Sequence, residues 1–373
     1  LQQGGPLFGL TRTPLGYLLL DRSGLQQFQD RLLDRQAWGR AAPLDFVYTR
    51  GNQQTRQVVS DLRRLAIARA LPQRLRQMLQ RHLPRPLCYI NVGHSNLTQR
   101  VLHVLDQHLD ARIVLLLHDT IPLDFPQYQR PGTVAPFQQM LQRMQRHADL
   151  VICNSRQTEA DFRRHLDVAA PCPQTLVAPL GVDAPAPVEP VALPPGFDPT
   201  RPYFLTLGTI EPRKNHALLL DVWDQLRQQP DAPQLLICGS RGWANAAVFS
   251  RLDALPSTGP VFELPGLSDG QIAGLTDGAA ALLFPSLAEG YGLPPLEAAA
   301  RGVKVICNNL PVFHEVLGNN AVYLDGNDPY SWTITLAETA REQQANPQVH
   351  RPDLARFVPP DWGQHFARVL PML

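Results

Sequence analysis

Two series of short apolar runs, each run followed by a stretch of helical spacing, divide this chain. The run Arg112-Ile113-Val114-Leu115-Leu116-Leu117 has the continuous apolar character of a strand buried on both faces. Residues 17–21, 45–48, 88–92 and 150–153 read as further strands of the first series. Helical spacing is expected over 57–82, with Val58, Leu62, Leu65, Ala66, Ala68 and Leu71 on one face, and again over 98–109 and 132–147. Asn154-Ser155 can cap a following helix that carries Thr158 and Glu159 in its first turns. After Gly181-Val182-Asp183 the period stops, and residues 184–202 are rich in proline. A second series then places strands at 203–207, 234–238, 261–263, 281–284, 304–307 and 321–324. Its helices fall near 215–228, 244–255, 268–277, 294–301 and 330–344. Alternation of this kind predicts an α/β protein of two doubly wound parallel-sheet domains. The expected organisation is 1–183, a linker at 184–202, and 203–360, with an amphipathic tail at 361–373 that crosses back onto the first domain.

A chain of 373 residues has room for two such cores, and 44% hydrophobic against 18% charged residues excludes a disordered chain. The net charge of +1 hides an asymmetry. Residues 1–180 hold 22 Lys and Arg against 13 Asp and Glu, a balance of +9, whereas residues 181–373 hold 12 against 20, a balance of −8. A basic first half can meet an anionic membrane or a phosphorylated acceptor, and it is equally an arginine-rich solvated surface. Only Lys214 and Lys304 are lysines. The five cysteines are far apart, without a CxxC pair, so reduced buried thiols are expected rather than disulfides or zinc. No run of about 18 apolar residues suggests a membrane span, and no signal peptide is seen. A cytoplasmic protein, with peripheral contact on the inner face of the membrane as an option, is the expectation.

Ligands of open α/β sheets bind at the carboxyl ends of the strands. Three clusters lie there. Gly208-Thr209-Ile210-Glu211-Pro212-Arg213-Lys214-Asn215 follows a strand and precedes a helix, and the adjacent Arg213 and Lys214 suit a diphosphate whose charge grows as it leaves. Glu289-Gly290-Tyr291-Gly292-Leu293-Pro294-Pro295-Leu296-Glu297 places two glycines at a helix start, where backbone can approach an anion. Glu289 and Glu297 can each take vicinal hydroxyls, although an acid such as Glu297 near a helix start is also favoured by the dipole alone. His118-Asp119-Thr120-Ile121-Pro122 ends the buried strand of the first series, so His118 would face the cleft from the other side. A lone His is more often structural, and this position favours function. His94, after Asn91-Val92-Gly93, is a similar and weaker case, and it joins Asp119 as an acceptor or sugar contact.

These motifs together resemble the GT4-type retaining glycosyltransferases of GT-B fold, also called glycosyl transferases group 1. Glu289 and Glu297 match the family's E-x7-E motif, and the residues between them match E-G-[FY]-G-L-x-x-x-E. Gly208–Asn215 resembles its G-x-x-x-x-[RK]-K-N phosphate loop, Gly181-Val182-Asp183 its G-[VI]-D, and His118-Asp119 with Pro122 its H-D-x-x-P segment. The resemblance spans residues 203–336 and is looser from Tyr89 onward in the first domain. It implies that Arg213 and Lys214 hold the diphosphate, Glu289 the donor sugar and Glu297 the ribose. Gly208, Gly290, Tyr291, Gly292 and Leu293 would line the donor, Leu267 would lie near the base, and His118 would contact the sugar at its reacting face. No metal and no other cofactor is expected, and no nucleic-acid partner. One departure is notable: the family's Gly-rich loop after a first strand has no counterpart here, because Gly4-Gly5 precedes any clear strand, so it is absent or lies upstream of Leu1.

The expected activity is retaining transfer of a hexose from a nucleotide diphosphate sugar to a glycan or lipid-linked glycan in bacterial surface polysaccharide assembly. The sugar leans toward mannose or rhamnose and the donor slightly toward a GDP-sugar. Two other readings stay open: a non-catalytic nucleotide-sugar-binding subunit, and a GT-B-fold UDP-sugar epimerase.

Overall fold

A computed structural model describes residues 5–42, 52–94, 96–183, 191–229, 231–256, 258–345 and 357–373. The strand expected at 45–48 lies outside the described residues. The first domain opens with an antiparallel hairpin of β1 (Gly9–Thr13) and β2 (Gly16–Leu20), to which β3 (Ala68–Ala70) adds antiparallel. Gly16 leaves the turn into β2 at φ +127, where a side chain would strike the Ala70 carbonyl. Alternate residues of β2 serve two faces. Leu18 and Leu20 pack with Leu62 beneath helices α1 (Arg22–Leu32) and α2 (Gln53–Leu65), and Tyr17 and Leu19 pack on α3 (Leu75–His82). The helical stretch expected over 57–82 is therefore broken at 66–74. Ile67 donates its N–H to Leu19 O, and Ala70 pairs with Tyr17. Sheet pairing with β2 overrides the local helical period, against the helical preference of alanine.

The rest of the domain is a parallel sheet of β4 (Cys88–Asn91), β5 (Arg112–Leu117), β6 (Leu150–Cys153) and β7 (Gln174–Val177), joined in that order. Helices α4 (Gln99–Leu109), α5 (Val134–His147) and α6 (Arg156–Arg164) link the strands. Ile113, Leu115 and Leu117 bury against α4 and α5 on one face. Val114, Leu116 and Ile152 face the other way.

The second domain alternates strictly through β8 (Tyr203–Leu207), α7 (His216–Leu226), β9 (Gln234–Cys238), α8 (Ala246–Asp253) and β10 (Val261–Leu264). It continues through α9 (Asp269–Gly278), β11 (Ala281–Phe284), α10 (Leu293–Ala300), β12 (Val305–Asn308), α11 (Pro311–Leu317), β13 (Val322–Leu324) and α12 (Pro329–Ala345). The strand order β10-β9-β8-β11-β12-β13 reverses between β8 and β11. Their carboxyl ends therefore open a crevice, the usual place for a ligand. Both faces are packed: Phe204, Leu235, Ile237 and Leu283 meet Trp223 and Trp332, while Leu205, Leu236 and Leu282 meet Leu296 and Phe313.

The chain then returns as α13 (Trp362–Val369). Val369 completes the first domain's open face with Val114, Leu116 and Ile152, and His365 Nδ1 donates to Pro179 O at 3.0 Å. Cys153, Cys238 and Cys307 are buried in strands, but Cys88 and Cys172 are exposed, so the expectation of buried thiols holds for only three of the five free cysteines.

Candidate active site

The reversal at β8 and β11 brings the first two sequence clusters side by side. Gly208 ends β8 at φ +126 and donates its N–H to Cys238 O. A Cβ there would lie 3.3 Å from Lys214 Cε, so the loop folds its lysine back over its own glycine. A 3-10 turn at Pro212–Lys214 presents both cations, and Asn215 closes it in the left-handed conformation at φ +56. Asn215 Nδ2 donates to Gly326 O at 2.9 Å, Gly326 N donates to Asn308 Oδ1 at 2.8 Å, and Asn308 Nδ2 donates to Ser286 O at 2.9 Å. This chain ties the loops after β8, β11, β12 and β13 into one floor. Asn308 gave no signal in the sequence, because the residues it joins are far apart along the chain.

On that floor sits a buried charge cluster. Glu289 Oε1 lies 2.6 Å from Lys214 Nζ and 2.8 Å from Arg213 Nη1. Arg213 also pairs with Glu211 at 2.7 Å and donates to Ala288 O at 2.9 Å. Lys214 Nζ stands 4.4 Å from the centre of the Phe284 ring. Burial alone would raise the Glu289 carboxyl, but Lys214 and Arg213 hold it below the usual value. Burial pushes Lys214 down against the pull of Glu289. Burial also opposes the charge on Arg213, yet Glu289 and Glu211 raise it above the ordinary value. Two cations can take an anion such as a diphosphate, and the carboxylate they share can accept from hydroxyl groups.

The first domain supplies the opposite wall. His118 Nε2 lies 2.8 Å from Val92 O, a group that can only accept, so this nitrogen carries a proton. In the neutral ring Nδ1 is then the acceptor. His94, at φ +57, sets its Nε2 3.2 Å from Leu116 O, and its ring centre is 5.3 Å from that of His118. Burial and the His118 ring lower the His94 pKa. Asp119 Oδ1 accepts from Ile121 N at 3.0 Å, and burial raises its pKa against the help of that bond and of Arg213.

Gly290 is where the domains touch. A Cβ on it would come within 2.4 Å of His118 O and 2.7 Å of Asp119 Cβ, so only glycine permits this approach. Its carbonyl accepts from Ser155 Oγ and Thr158 Oγ1, each at 3.2 Å. Tyr291 is buried, and its hydroxyl donates to Leu180 O at 2.9 Å, so its side chain serves the core and the crossover between domains. Gly292, at φ +96 against the Phe313 ring, starts α10, and Leu293 is that helix's first residue.

Glu297 stands apart from the cluster. It lines a pocket of about 420 Å³ with Asp183, Leu207, Asp269, Leu293 and Trp362. Burial, and Asp269 nearby, raise its pKa. Leu267 packs partly buried against the core, and the helix that follows it lines the pocket with Asp269, Ile272, Ala273 and Thr276. Among the described residues no group of three or more His, Cys, Asp or Glu side chains is placed to hold a metal ion.

The model of Glycosyltransferase Family 4 matches residues 36–184, and that of Glycosyl transferases group 1 matches residues 194–347. The serotype-specific mannosyltransferase WbdA of Escherichia coli is 31% identical over 248 residues, which cover 62% of this chain and 30% of that protein. The O-antigen chain mannosyltransferase RfbU of Salmonella typhimurium is 37% identical over 138 residues, 36% of this chain and 37% of that protein. These matches thus span well under half of either relative. In fold, the α,α-trehalose-phosphate synthase (UDP-forming) of Burkholderia xenovorans superposes with a TM-score of 0.53 at 12% identity, covering 92% of this chain and 85% of that one. With two α/β domains facing a crevice, and both family models matched in chain order, the chain belongs to the GT4-type glycosyltransferases of GT-B fold.

Proposed function

We propose that this chain transfers a hexose, mannose in the first instance, from a nucleotide diphosphate sugar to a hydroxyl of a glycan or lipid-linked glycan in surface polysaccharide assembly, with retention at the anomeric carbon. The observation that carries the proposal is the shared carboxylate: Glu289 Oε1 touches both Arg213 and Lys214 at the β8–β11 reversal. A diphosphate beside the two cations puts its sugar next to Glu289, which accepts from sugar hydroxyls. The cations take up the charge that develops on the leaving diphosphate, and the buried site strengthens that interaction. His118 Nδ1 accepts from a sugar or acceptor hydroxyl across the cleft. Glu297 in its pocket suits the ribose diol. With the diphosphate held this way, departure of the leaving group and attack from the same face need no protein nucleophile. The mannosyl assignment follows the two relatives, and a GDP-sugar is favoured with it. Peripheral contact with an anionic membrane through the basic first half belongs to the same reading.

The test is incubation with GDP-mannose and a mannose-terminated oligosaccharide, read by product mass and by the anomeric coupling of the new linkage. A product with the donor's α configuration supports the reading. Nucleotide binding without transfer to any glycan would favour the binding-subunit alternative.

A further inference from the structure

The donor loop is gripped from both domains, and the grip includes a carboxylate that no motif marks. Glu315, on α11 of the second domain, places Oε1 2.7 Å from Arg156 N and Oε2 3.2 Å from Gln157 N. These are the first two amides of α6, in the first domain. The helix is thus capped twice: Ser155 Oγ accepts from Thr158 N at 3.0 Å within its own domain, and Glu315 reaches across the cleft to the amides that Ser155 leaves open. A carboxylate at a helix N-terminus is also favoured by the helix dipole. The same turn of α6 holds the Gly290 carbonyl through Ser155 and Thr158, one residue from Glu289.

A second cross-cleft contact lies on the other flank. Trp243, in the loop after β9, donates its indole N–H to Tyr128 O at 3.1 Å, and the Arg130 guanidinium stands 4.4 Å over its ring. In the strand order, β9 lies one strand outside β8 and β12 lies one strand outside β11. The two contacts therefore bracket the reversal where the charge cluster sits.

We propose that Glu315 is a positioning residue, the latch that holds the two domains closed around the donor loop. Its carboxylate caps a helix of the other domain, so the bond exists only in the closed cleft. When it forms, α6 sets Gly290 against His118 and brings Glu289 to the reacting face. The kinetic part of this inference rests on the transferase reading above; the conformational part does not.

The experiment compares wild type with Glu315→Ala and Glu315→Gln by small-angle X-ray scattering without substrate. Nucleoside diphosphate affinity and transfer kinetics are then measured on the same samples. Loss of a helix-capping carboxylate shifts such an equilibrium by about tenfold. The latch predicts a larger radius of gyration for Glu315→Ala, an intermediate one for Glu315→Gln, nearly unchanged nucleoside diphosphate affinity, and kcat lower by about tenfold. Unchanged scattering in both variants overturns the latch, whatever the activity. So does a loss of nucleotide affinity that matches the loss of kcat, because the residue would then act within the donor domain. If Glu315→Ala does not fold, Glu315→Gln decides by the same criteria. A scattering change in an enzyme that transfers nothing keeps the latch and sinks the transferase reading.

Discussion

At the scale of single residues, the site depends on charges that would be costly alone. Glu289 is the hub, and replacing it with Gln takes from the buried Lys214 the carboxylate it touches and leaves Arg213 with Glu211 alone. A buried pair broken on one side costs about 3 kcal/mol or more, so Glu289→Gln should lower the urea midpoint markedly while abolishing transfer. Because Glu289 is held below the ordinary carboxyl value, its contribution is present above about pH 4.5 and is lost as pH falls below that. His216 titrates in a different window. It is buried at the start of α7, neither ring nitrogen finds a partner among the described residues, and burial with Lys214 nearby pushes its pKa down to about 4 from 6.5. Between those values the unfolded chain binds a proton that the folded one refuses, so stability falls as pH drops from 6.5 toward 4. The loss reaches roughly 3 kcal/mol at full extent. Chemical denaturation at about pH 7.5 and about pH 5 should show this slope in wild type and a flatter one in His216→Leu. Equal slopes would mean that the ring is not protonated on unfolding in this range.

At the scale of elements, the fold was readable where a strand is buried on both faces. The runs at β5, β8, β9 and β11 are mostly apolar because α/β layers cover both sides, and the glycines that follow β8 and β11 mark where the backbone must bend toward a ligand. What was unreadable depended on partners distant in sequence. β3 hides inside a helical period, because only its pairing with β2 makes it a strand. Glu315 looks like any helix acid until α6 of the other domain is beside it. Leu267 and Tyr291 carry a packing role that their motifs do not reveal: the Tyr291 side chain is buried in the core and Leu267 packs partly buried against it. Gly290 gives an element-level prediction. A Cβ there meets backbone, His118 O, which cannot rotate away, so Gly290→Ala must push the His118–Asp119 loop of the first domain away from the loop that carries Glu289. Transfer should fall by about a hundredfold with little change in melting temperature, since the contact lies between domains rather than within a core. A melting temperature lowered in step with activity would show instead that the loop is part of the second core.

At the scale of the whole molecule, two domains of opposite charge close on one another, and the chain's end returns to seal the first. The balance of +9 over residues 1–180 predicts binding to vesicles containing anionic lipid at low salt, with release as ionic strength rises toward the point where the Debye length is about 8 Å. Vesicles that fail to bind at low salt would remove the membrane from the account. The central claim is that the Arg213–Lys214–Glu289 cluster is the seat of a nucleoside diphosphate. A thermal-shift panel of GDP, UDP, dTDP, ADP and CMP on wild type and on Lys214→Ala tests it most directly, with and without EDTA. At about a hundred times its Kd, a bound nucleotide adds about 2.7 kcal/mol of apparent stability. The account predicts that one diphosphate, GDP first, stabilises wild type equally with and without EDTA and no longer stabilises Lys214→Ala; no shift with any nucleotide, or an equal shift in both proteins, would contradict it.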